Sequence, residues 1–413
     1  MSPRAVFMPL QFMSEIKNIY YVYLTANTAT PSSVQQKITN QIRIARELGY
    51  HVKGLFFTPE PIEKSNEEDI VWFQAPAINT GYFRSIRQHA SNVKAAMAVI
   101  KEIDGDGTRY FMRFGICNGS MFRLTLLLKG RIVFNHLSVE TDEYALYQSD
   151  AGSFASRGLS NIEFKWLPIF LDKTLGKFIR RNSLGAVVNS KEIALRQQNK
   201  CLGKYPCEII PDAVDTAAFP ILGSKNFGNT ISMVFLKGAS MDAEYNGLDR
   251  LMRGMLEYNG SRSFILTIIG NHTTMEENMA KNLGLQDRVF IKKALYGKEL
   301  DNKLENHHLG VGPLAVHRKG INATSSIKTR EFMARGLPFF IAHTDHELAE
   351  NIACRQFHTV FEASESPIQL SGLDAMFDRL NNMPDYPRSM RELAQKHLDY
   401  RVKIPQWISF ISR

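Results

Sequence analysis

The segment from Ile321 to Pro338 reads INATSSIKTREFMARGLP and combines the signals of a helix with those of a binding site. Ser325 or Ser326 can cap the start of a helix, because a serine oxygen accepts hydrogen bonds from the first unpaired backbone N–H groups. Gly336 supplies the left-handed residue that ends a helix, and Pro338 prevents its continuation. The segment therefore predicts a short helix between the serines and the glycine.

Lys328 and Glu331 lie three residues apart, on one face of this predicted helix. A helix N-terminus with a lysine in its first turn suits a diphosphate, because the backbone N–H groups and the cation both neutralise negative charge. Glu331 on the same face can accept hydrogen bonds from a ribose diol. A surface Lys–Glu pair worth about 0.3 kcal/mol would have the same spacing. Local sequence leaves both interpretations open.

On both sides of this segment, short apolar runs alternate with helical stretches. Such alternation predicts parallel sheets covered by helices on both faces. A cluster of Gly, Ser and Asn at Leu222–Asn229 divides the two series and is typical of a linker. The predicted strands are Ile19–Leu24, His51–Phe57, Thr108–Phe114, Arg131–Phe134, Ala186–Asn189, Glu208–Ile210, Ile231–Leu236, Phe264–Gly270, Arg288–Lys292, Gly310–Leu314 and Pro338–Ala342.

Composition agrees with two globular domains. The chain has 413 residues, of which 44% are hydrophobic, enough to bury a core in each half. The four cysteines form no C-x-x-C pair, which excludes a zinc ribbon and a disulfide framework. No signal-like segment and no apolar run of about 18 residues occurs. We therefore expect a cytoplasmic protein whose membrane contact, if it has one, is peripheral and at the inner face of the cell membrane.

The charge balance is basic, with 50 Lys and Arg against 41 Asp and Glu, a formal charge of +9. The segment 177–204 carries seven of these basic residues and one acidic residue, Glu192. It can dock on anionic lipid headgroups or form an ordinary solvated face. No basic stripe is interleaved with aromatic residues as in single-strand binders, so we expect no nucleic-acid partner.

Several motifs together resemble one enzyme family. Glu331–Pro338, EFMARGLP, is similar to the E-A-M-A-x-G-x-P of the donor-site helix in retaining family 4 glycosyltransferases of GT-B fold. Ile209–Thr216 resembles their I-P-N-G-V-D-T, and Phe235–Leu251 resembles the strand, glycine and helix that open their second domain. Ser325–Phe332 resembles the S-P-L-K-x-R-E-Y of bacterial enzymes that build surface polysaccharides.

The resemblance implies an α/β GT-B architecture of two Rossmann-like domains that face each other across a cleft. Residues 1–222 would form the acceptor-side domain, and residues 223–397 the domain that binds the nucleotide-sugar donor. A C-terminal helix at about 398–413 would pack back on the first domain.

The resemblance also implies donor contacts. Lys328 would contact the diphosphate and stabilise its departure, Glu331 would bind the ribose, and Gly238 would let the backbone approach the phosphates. Ser326 at the helix start would belong to the same site. Further positive charge would come from Lys237, Arg318 and Lys319.

On the acceptor side, the segment after the strand at Arg131–Phe134 is polar and would lie at the carboxyl end of the sheet. By resemblance, His136 would lie near the transferred sugar, while Glu140 and Asp142 would border the acceptor path. Arg113 lies in a further stretch that resembles these enzymes. A lone loop histidine is, however, more often an ordinary surface residue.

The implied reaction transfers a sugar from a nucleoside diphosphate sugar to a hydroxyl of a glycan or lipid-linked acceptor, with retention at the anomeric carbon. Polysaccharide biosynthesis is the expected setting, with no cofactor and no divalent metal. His343, Asp345 and His346 are grouped like metal ligands, but the segment offers no clear further ligand, so we predict no metal site there.

Three departures from the family pattern support alternatives. Ala323 stands where the family has the first Glu of its Glu-x7-Glu motif, and Ala239 and Asn246 fall near its usual Arg and Lys. These changes favour a second hypothesis, a degenerate GT-B protein that binds a sugar nucleotide or a partner transferase. A GT-B sugar-nucleotide epimerase is a third hypothesis, which the transferase-like segment at Ile209–Thr216 disfavours.

Overall fold

The structure, a computed structural model, describes residues 18–28, 33–62, 68–141, 161–238, 244–270 and 274–413. These residues form two compact units. The first contains the described residues up to 188, together with 194–208 and 404–413, and the second contains 189–193 and 209–403. The chain therefore passes between the units at four places.

The first unit is built on a parallel sheet with the strand order β3-β2-β1-β4-β5-β6-β7. Its strands are β1 Asn18–Tyr23, β2 Val52–Thr58, β3 Ile70–Gln74, β4 Thr108–Arg113, β5 Ile132–His136, β6 Gly185–Val188 and β7 Cys207–Ile209. Most buried residues of these strands are apolar, as expected for strands that helices cover on both faces of the sheet. The order reverses between β1 and β4, as in doubly wound folds.

Helices cover this first sheet, and one long helical segment, residues 162–181, alternates between α and π geometry. The helices are α1 Ser33–Glu47, α2 Arg84–Ile103, α3 Gly119–Leu127, α4 Leu167–Leu171, α5 Lys177–Arg181 and α6 Lys191–Asn199. The π-helical stretches are Ile162–Trp166 and Asp172–Gly176. Trp407, near the C-terminus, stacks on Phe111 of β4 with ring centroids 5.0 Å apart.

The second unit has its own parallel sheet, with the order β10-β9-β8-β11-β12-β13. Its strands are β8 Thr230–Lys237, β9 Ser263–Gly270, β10 Val289–Lys292, β11 Leu309–Val311, β12 Phe339–Ile341 and β13 His358–Val360. The order reverses between β8 and β11. Two parallel sheets covered by helices confirm the predicted α/β class.

The helices of the second unit surround this sheet and bury a single apolar core. They are α7 Leu248–Glu257, α8 Thr274–Asn282, α9 Gly297–Leu304, α10 Ile327–Arg335, α11 His346–Glu350, α12 Asp374–Asn381, α13 Tyr386–His397 and α14 Tyr400–Ile411, whose last residues from 404 belong to the first unit. Phe227 is buried in this core and stacks on Phe377 at 4.9 Å. The segment 222–229, interpreted from sequence as a linker, is thus anchored within the second unit.

Helix α10 forms in the segment that the sequence marked for a helix. Ser326 is its N-cap residue by backbone conformation, although its side chain makes no capping hydrogen bond. Gly336 ends the helix at φ 73°. A Cβ at this position would lie 2.6 Å from the Cα atom of Pro387, so both the left-handed conformation and the close approach require glycine.

Arg330 fixes this helix from its buried side. Its guanidinium has no exposed surface and forms ion pairs with Asp345 and Glu347, the latter at 3.1 Å. It also donates to the carbonyl oxygen of Asp212 at 3.1 Å. Burial alone would lower the pKa of Arg330, but the neighbouring carboxylates raise it, so the guanidinium stays charged.

We predict that Arg330→Met destabilises the second unit by about 3–5 kcal/mol, because removing one partner of a buried ion pair leaves an uncompensated charge. Urea unfolding measures the change. The matched control is Arg388→Met, which removes an exposed pair with Asp385 at 3.6 Å and should cost less than about 1 kcal/mol. Equal unfolding midpoints for the two variants would contradict this account.

In the described part of the chain, no helix is both long enough and apolar enough to cross a membrane.

Candidate functional site

The strand-order reversal in the second sheet marks a place where ligands bind in doubly wound folds, outside the carboxyl ends of the two strands. Lys237 ends β8, and Gly238 follows it directly. Gly270 ends β9 at φ 144°, where a Cβ would lie 2.1 Å from the carbonyl oxygen of Lys237. Two of the predicted donor residues, Lys237 and Gly238, therefore lie at this switch point.

Helix α10 brings a second cation to the same strand. The Lys328 Nζ atom lies 4.4 Å from the ring centroid of Phe235, which belongs to β8. Lys328 is in the first turn of α10, where the helix N-terminus carries partial positive charge. The cation and the helix end therefore add their positive charges beside β8.

Lys328 is a cation with little opposite charge near it. Burial, together with the charges of Lys319 and Lys237, lowers the pKa of Lys328 to about 8, against the opposing effect of Glu331. Burial likewise raises the pKa of Glu331, against the opposing effect of Arg335, 3.3 Å away. An anion bound here would relieve the cost of keeping Lys328 charged.

The remaining predicted cations differ in the groups that they contact. Lys319 lies over the ring of Tyr245, with Nζ 3.6 Å from the centroid. Lys237 is buried and forms an ion pair with Glu276. The Arg318 guanidinium makes a bidentate contact to Asp249 at 2.9 and 2.8 Å, and also donates to Glu365 at 2.9 Å.

Arg318 is thus held by two carboxylates. The hydrogen bonds that Arg318 donates to Glu365 and Asp249 raise the pKa of Arg318, so both carboxylates stabilise its charge. Contact of Arg318 with a diphosphate stays a prediction, and it would need one of these carboxylates to be displaced. Lys319 and Lys237 are both close enough to Lys328 to lower its pKa.

Glu192 is a site residue that the sequence reasoning missed. Its carboxylate accepts the backbone N–H groups of Asn322 and Ala323, at 2.8 and 2.9 Å. Asn189 also donates to Thr324 at 3.3 Å. The segment 189–193 thus holds the loop before α10, including Ala323. No local motif could have shown this, because about 130 residues separate the partners.

In the first unit, His136 ends β5 and lies in a buried polar network rather than at an exposed surface. Its Nδ1 atom is 2.6 Å from Glu140 and its Nε2 atom is 3.0 Å from the hydroxyl of Tyr205. Gln197 then donates to Glu140 at 2.7 Å and accepts from Arg180 at 3.0 Å. Every hydrogen-bonding atom of the His136 ring is therefore engaged inside the protein.

Opposite charges lie next to each other in this network. Burial would raise the pKa of Glu140, but contact with His136 and the charge of Arg180 lower it to about 2. Burial lowers the pKa of His136. Arg180 is itself fully buried and forms an ion pair with Asp172 at 2.8 Å. The pairing of His136 with Glu140 makes these two residues one structural group.

The other predicted acceptor-side residues lie in different places. Arg113 ends β4 and is half-buried. Asp142 lies outside the described residues, as does Ala239. Contact of Arg113, His136, Glu140 or Asp142 with a sugar or an acceptor therefore stays a prediction.

The histidine-rich segment after β12 has structural contacts. Asp345 binds Arg330 through both oxygens and caps α11 by accepting from the N–H of Leu348. His343 donates from Nδ1 to the carbonyl oxygen of Pro313 at 3.2 Å. Within the described ranges, no three His, Cys, Asp or Glu side chains are grouped to hold a metal ion.

The fold is similar to that of known glycosyltransferases. Sucrose-phosphate synthase from Thermosynechococcus elongatus superposes with a TM-score of 0.64 at 13% identity, covering 95% of this chain and 98% of that chain. WaaG, a glycosyltransferase involved in lipopolysaccharide biosynthesis, gives 0.60 at 14% identity, covering 95% and 99%. HepE from Anabaena, solved with UDP and glucose, gives 0.58 at 11% identity, covering 95% and 98%.

These likenesses confirm the predicted GT-B kind of fold. No protein-family model matches the chain, and no curated protein matches its sequence. The structural relation is therefore far stronger than the sequence relation.

We predict that Lys328→Met stabilises the ligand-free protein at pH 7. The native pKa of about 8 lies below the value of about 10.4 in an unfolded chain, so the unfolded chain binds more protons between these values. The cost of charging Lys328 is thus fully present below pH 8 and disappears as the pH rises to about 10.4. The stability difference between variant and native protein should shrink over this interval.

Urea unfolding between pH 7 and pH 10.5 measures this difference. Lys298→Met, at an exposed position of α9, is the control and should give a difference that does not change with pH. A Lys328→Met difference that is equally flat would contradict the depressed pKa.

Proposed function

We propose that the protein is a retaining glycosyltransferase of family 4 type, which transfers a sugar from a nucleoside diphosphate sugar to a hydroxyl acceptor. The observation that carries the proposal is Lys328, a cation of depressed pKa beside β8 at the N-terminus of α10. A diphosphate is the group that such a helix end and lysine bind best. The resemblance of Glu331–Pro338 to the donor-site helix of GT-B glycosyltransferases supports this assignment.

The donor would lie across the end of the second sheet. Lys328 would bind the diphosphate, with Lys319 and Lys237 adding positive charge and Ser326 standing at the helix end. Glu331, on the same face of α10, would accept hydrogen bonds from the ribose diol. Gly238, which adds no side chain after β8, would let phosphate oxygens approach the backbone. HepE, whose structure contains UDP and glucose, supports a nucleoside diphosphate as ligand.

The chemistry follows from the charge that develops in the reaction. As the bond to the anomeric carbon breaks, the sugar becomes cation-like and the diphosphate leaves with additional negative charge. Lys328 and the α10 N–H groups would stabilise the leaving diphosphate. The acceptor hydroxyl would attack from the same face and pass its proton to the leaving phosphate oxygen, which retains the anomeric configuration. No metal ion or cofactor takes part in this scheme.

The first unit would supply the acceptor side. The His136–Glu140 group ends β5, and its buried contacts would hold the following segment, which includes Asp142, in place. Arg113, at the end of neighbouring β4, would face the acceptor. A glycan or a lipid-linked glycan in polysaccharide biosynthesis, at the cytoplasmic face of the membrane, fits this proposal. WaaG, a glycosyltransferase involved in lipopolysaccharide biosynthesis, supports this setting.

The first experiment is a thermal-shift screen of nucleoside diphosphate sugars, beginning with UDP-glucose. A donor at 100 times its dissociation constant should stabilise the protein by about 2.7 kcal/mol. Transfer from the donor that binds is then assayed with bacterial glycan acceptors. Absence of any stabilising nucleotide sugar would overturn the proposal.

With the donor identified, we predict that Lys328→Met lowers kcat/KM by about 100-fold, because losing one contact to developing charge costs roughly 3 kcal/mol. Lys298→Met, which removes an exposed lysine from the same unit, should leave kcat/KM unchanged. If Lys328→Met retained full turnover, the assignment of Lys328 to the leaving diphosphate would be wrong.

A second function, binding without transfer, is favoured by the pairing of Arg318 and Lys237 with carboxylates and by Ala323. In that case, calorimetry would show nucleotide-sugar binding, while neither transfer nor donor hydrolysis would occur with any donor. Full transfer activity would exclude this alternative.

A further inference from the structure

The helical segment 162–181 exposes an unusual set of large apolar side chains. Trp166 and Phe170 expose 59% and 61% of their surface, and Ile162 and Phe178 are exposed as well. Ile162, Trp166 and Phe170 are spaced four residues apart, which keeps them on one side of a helix. Single exposed apolar residues are ordinary, but a contiguous group on one element marks an interaction surface.

The cations of the same segment surround these rings. Lys173 and Arg181 are exposed, and Lys165 and Lys177 are half-buried. Lys165 Nζ lies 5.5 Å from the ring centroid of Trp166, and Lys177 Nζ lies 5.6 Å from that of Phe178. Aromatic rings and lysines therefore lie side by side along the segment, and we call its exposed apolar and basic side chains the aromatic-basic face.

The segment has two acidic residues, Glu163 and Asp172, against five basic ones, so positive charge is in excess. Glu163 accepts the backbone N–H and the hydroxyl of Ser85, at 2.9 and 2.8 Å. Asp172 is buried against Arg180. The aromatic-basic face is consequently positive as well as apolar.

Helix α3 extends this surface. The ring of Phe122 lies 6.3 Å from that of Phe178, which brings the helix against the segment. Arg123 and Leu126, on the same helix, are both exposed. The combination of apolar and basic side chains thus continues beyond the segment itself.

We propose that the aromatic-basic face binds the surface of a bilayer that contains anionic phospholipids. A bilayer interface accommodates both kinds of side chain, because Trp and Phe rings insert at headgroup level while lysine tips remain among the phosphates. An acidic protein partner fits less well, because lysine is depleted at protein–protein interfaces, whereas lysines beside Trp and Phe rings are typical of helices that lie on a membrane surface.

The proposal moves the lipid contact away from the segment 177–204, where charge alone had suggested it. In that segment, Lys200 bonds to Thr141 and Asp172, and Lys191 pairs with Glu350. Those cations are partly neutralised by the protein. The aromatic-basic face overlaps the predicted segment only at its start, and its role holds whether or not the chain transfers a sugar.

Co-sedimentation of the full chain with vesicles tests the proposal, with phosphatidylcholine alone compared with phosphatidylcholine plus phosphatidylglycerol. Native protein should bind only the mixed vesicles, and added salt should weaken binding. The double variant Lys165→Ala/Lys173→Ala should bind about 25-fold more weakly, at about fivefold per lysine. Trp166→Ser/Phe170→Ser should also lose binding, whereas Ile352→Ser, at an apolar position 78% exposed in the second unit, should not.

Circular dichroism and urea unfolding establish that each variant is folded. Equal binding by native protein and both double variants would overturn the proposal, as would equal binding to neutral and anionic vesicles. If native protein instead sedimented as a dimer that Trp166→Ser/Phe170→Ser dissociated, without vesicle binding by either, the face would be an interface between copies and the proposal would be wrong.

Discussion

The guanidinium of Arg330 lies without exposed surface between Asp345, Glu347 and the carbonyl oxygen of Asp212, which come from two separate parts of the chain. A buried charge loses its hydration and is stable only while each partner stays in place. Helix α10 therefore has one low-energy position. Lys328 and Glu331 belong to the same two turns of this helix. The geometry of the candidate site therefore depends on the contacts of Arg330, in which neither residue takes part.

Cations around the second sheet are held in two physically different ways. Arg318 and Lys237 meet carboxylates, which neutralise their charge. Lys328 lies over the ring of Phe235, which attracts a cation through the ring quadrupole but carries no net charge. A ring can thus position a lysine and leave its charge available to an anion. For this reason Lys328, and not Arg318, is the residue that we propose to bind the diphosphate.

The sequence predicts what depends on neighbouring residues and misses what depends on distant ones. The serine, glycine and proline signals place α10 correctly, and apolar runs locate most strands. The edge strands β3 and β13 go unpredicted because Ile70–Gln74 and His358–Val360 are short and partly exposed. Glu192 acts through backbone groups far along the chain, and the burial of His136 depends on Tyr205 and Gln197. Neither leaves a local pattern.

The repeated crossing of the chain between units has a consequence for dissecting the protein. No single cut separates the two units, because the first contains residues 404–413 and the second contains 189–193. A fragment ending at 208 would leave Phe111 without Trp407, its stacking partner. A fragment beginning at 209 would lack the carboxylate that holds the loop before α10. Each unit therefore contains a short piece of chain from beyond the boundary at 208/209. A gene fragment that ends or begins at this boundary would encode neither unit in full.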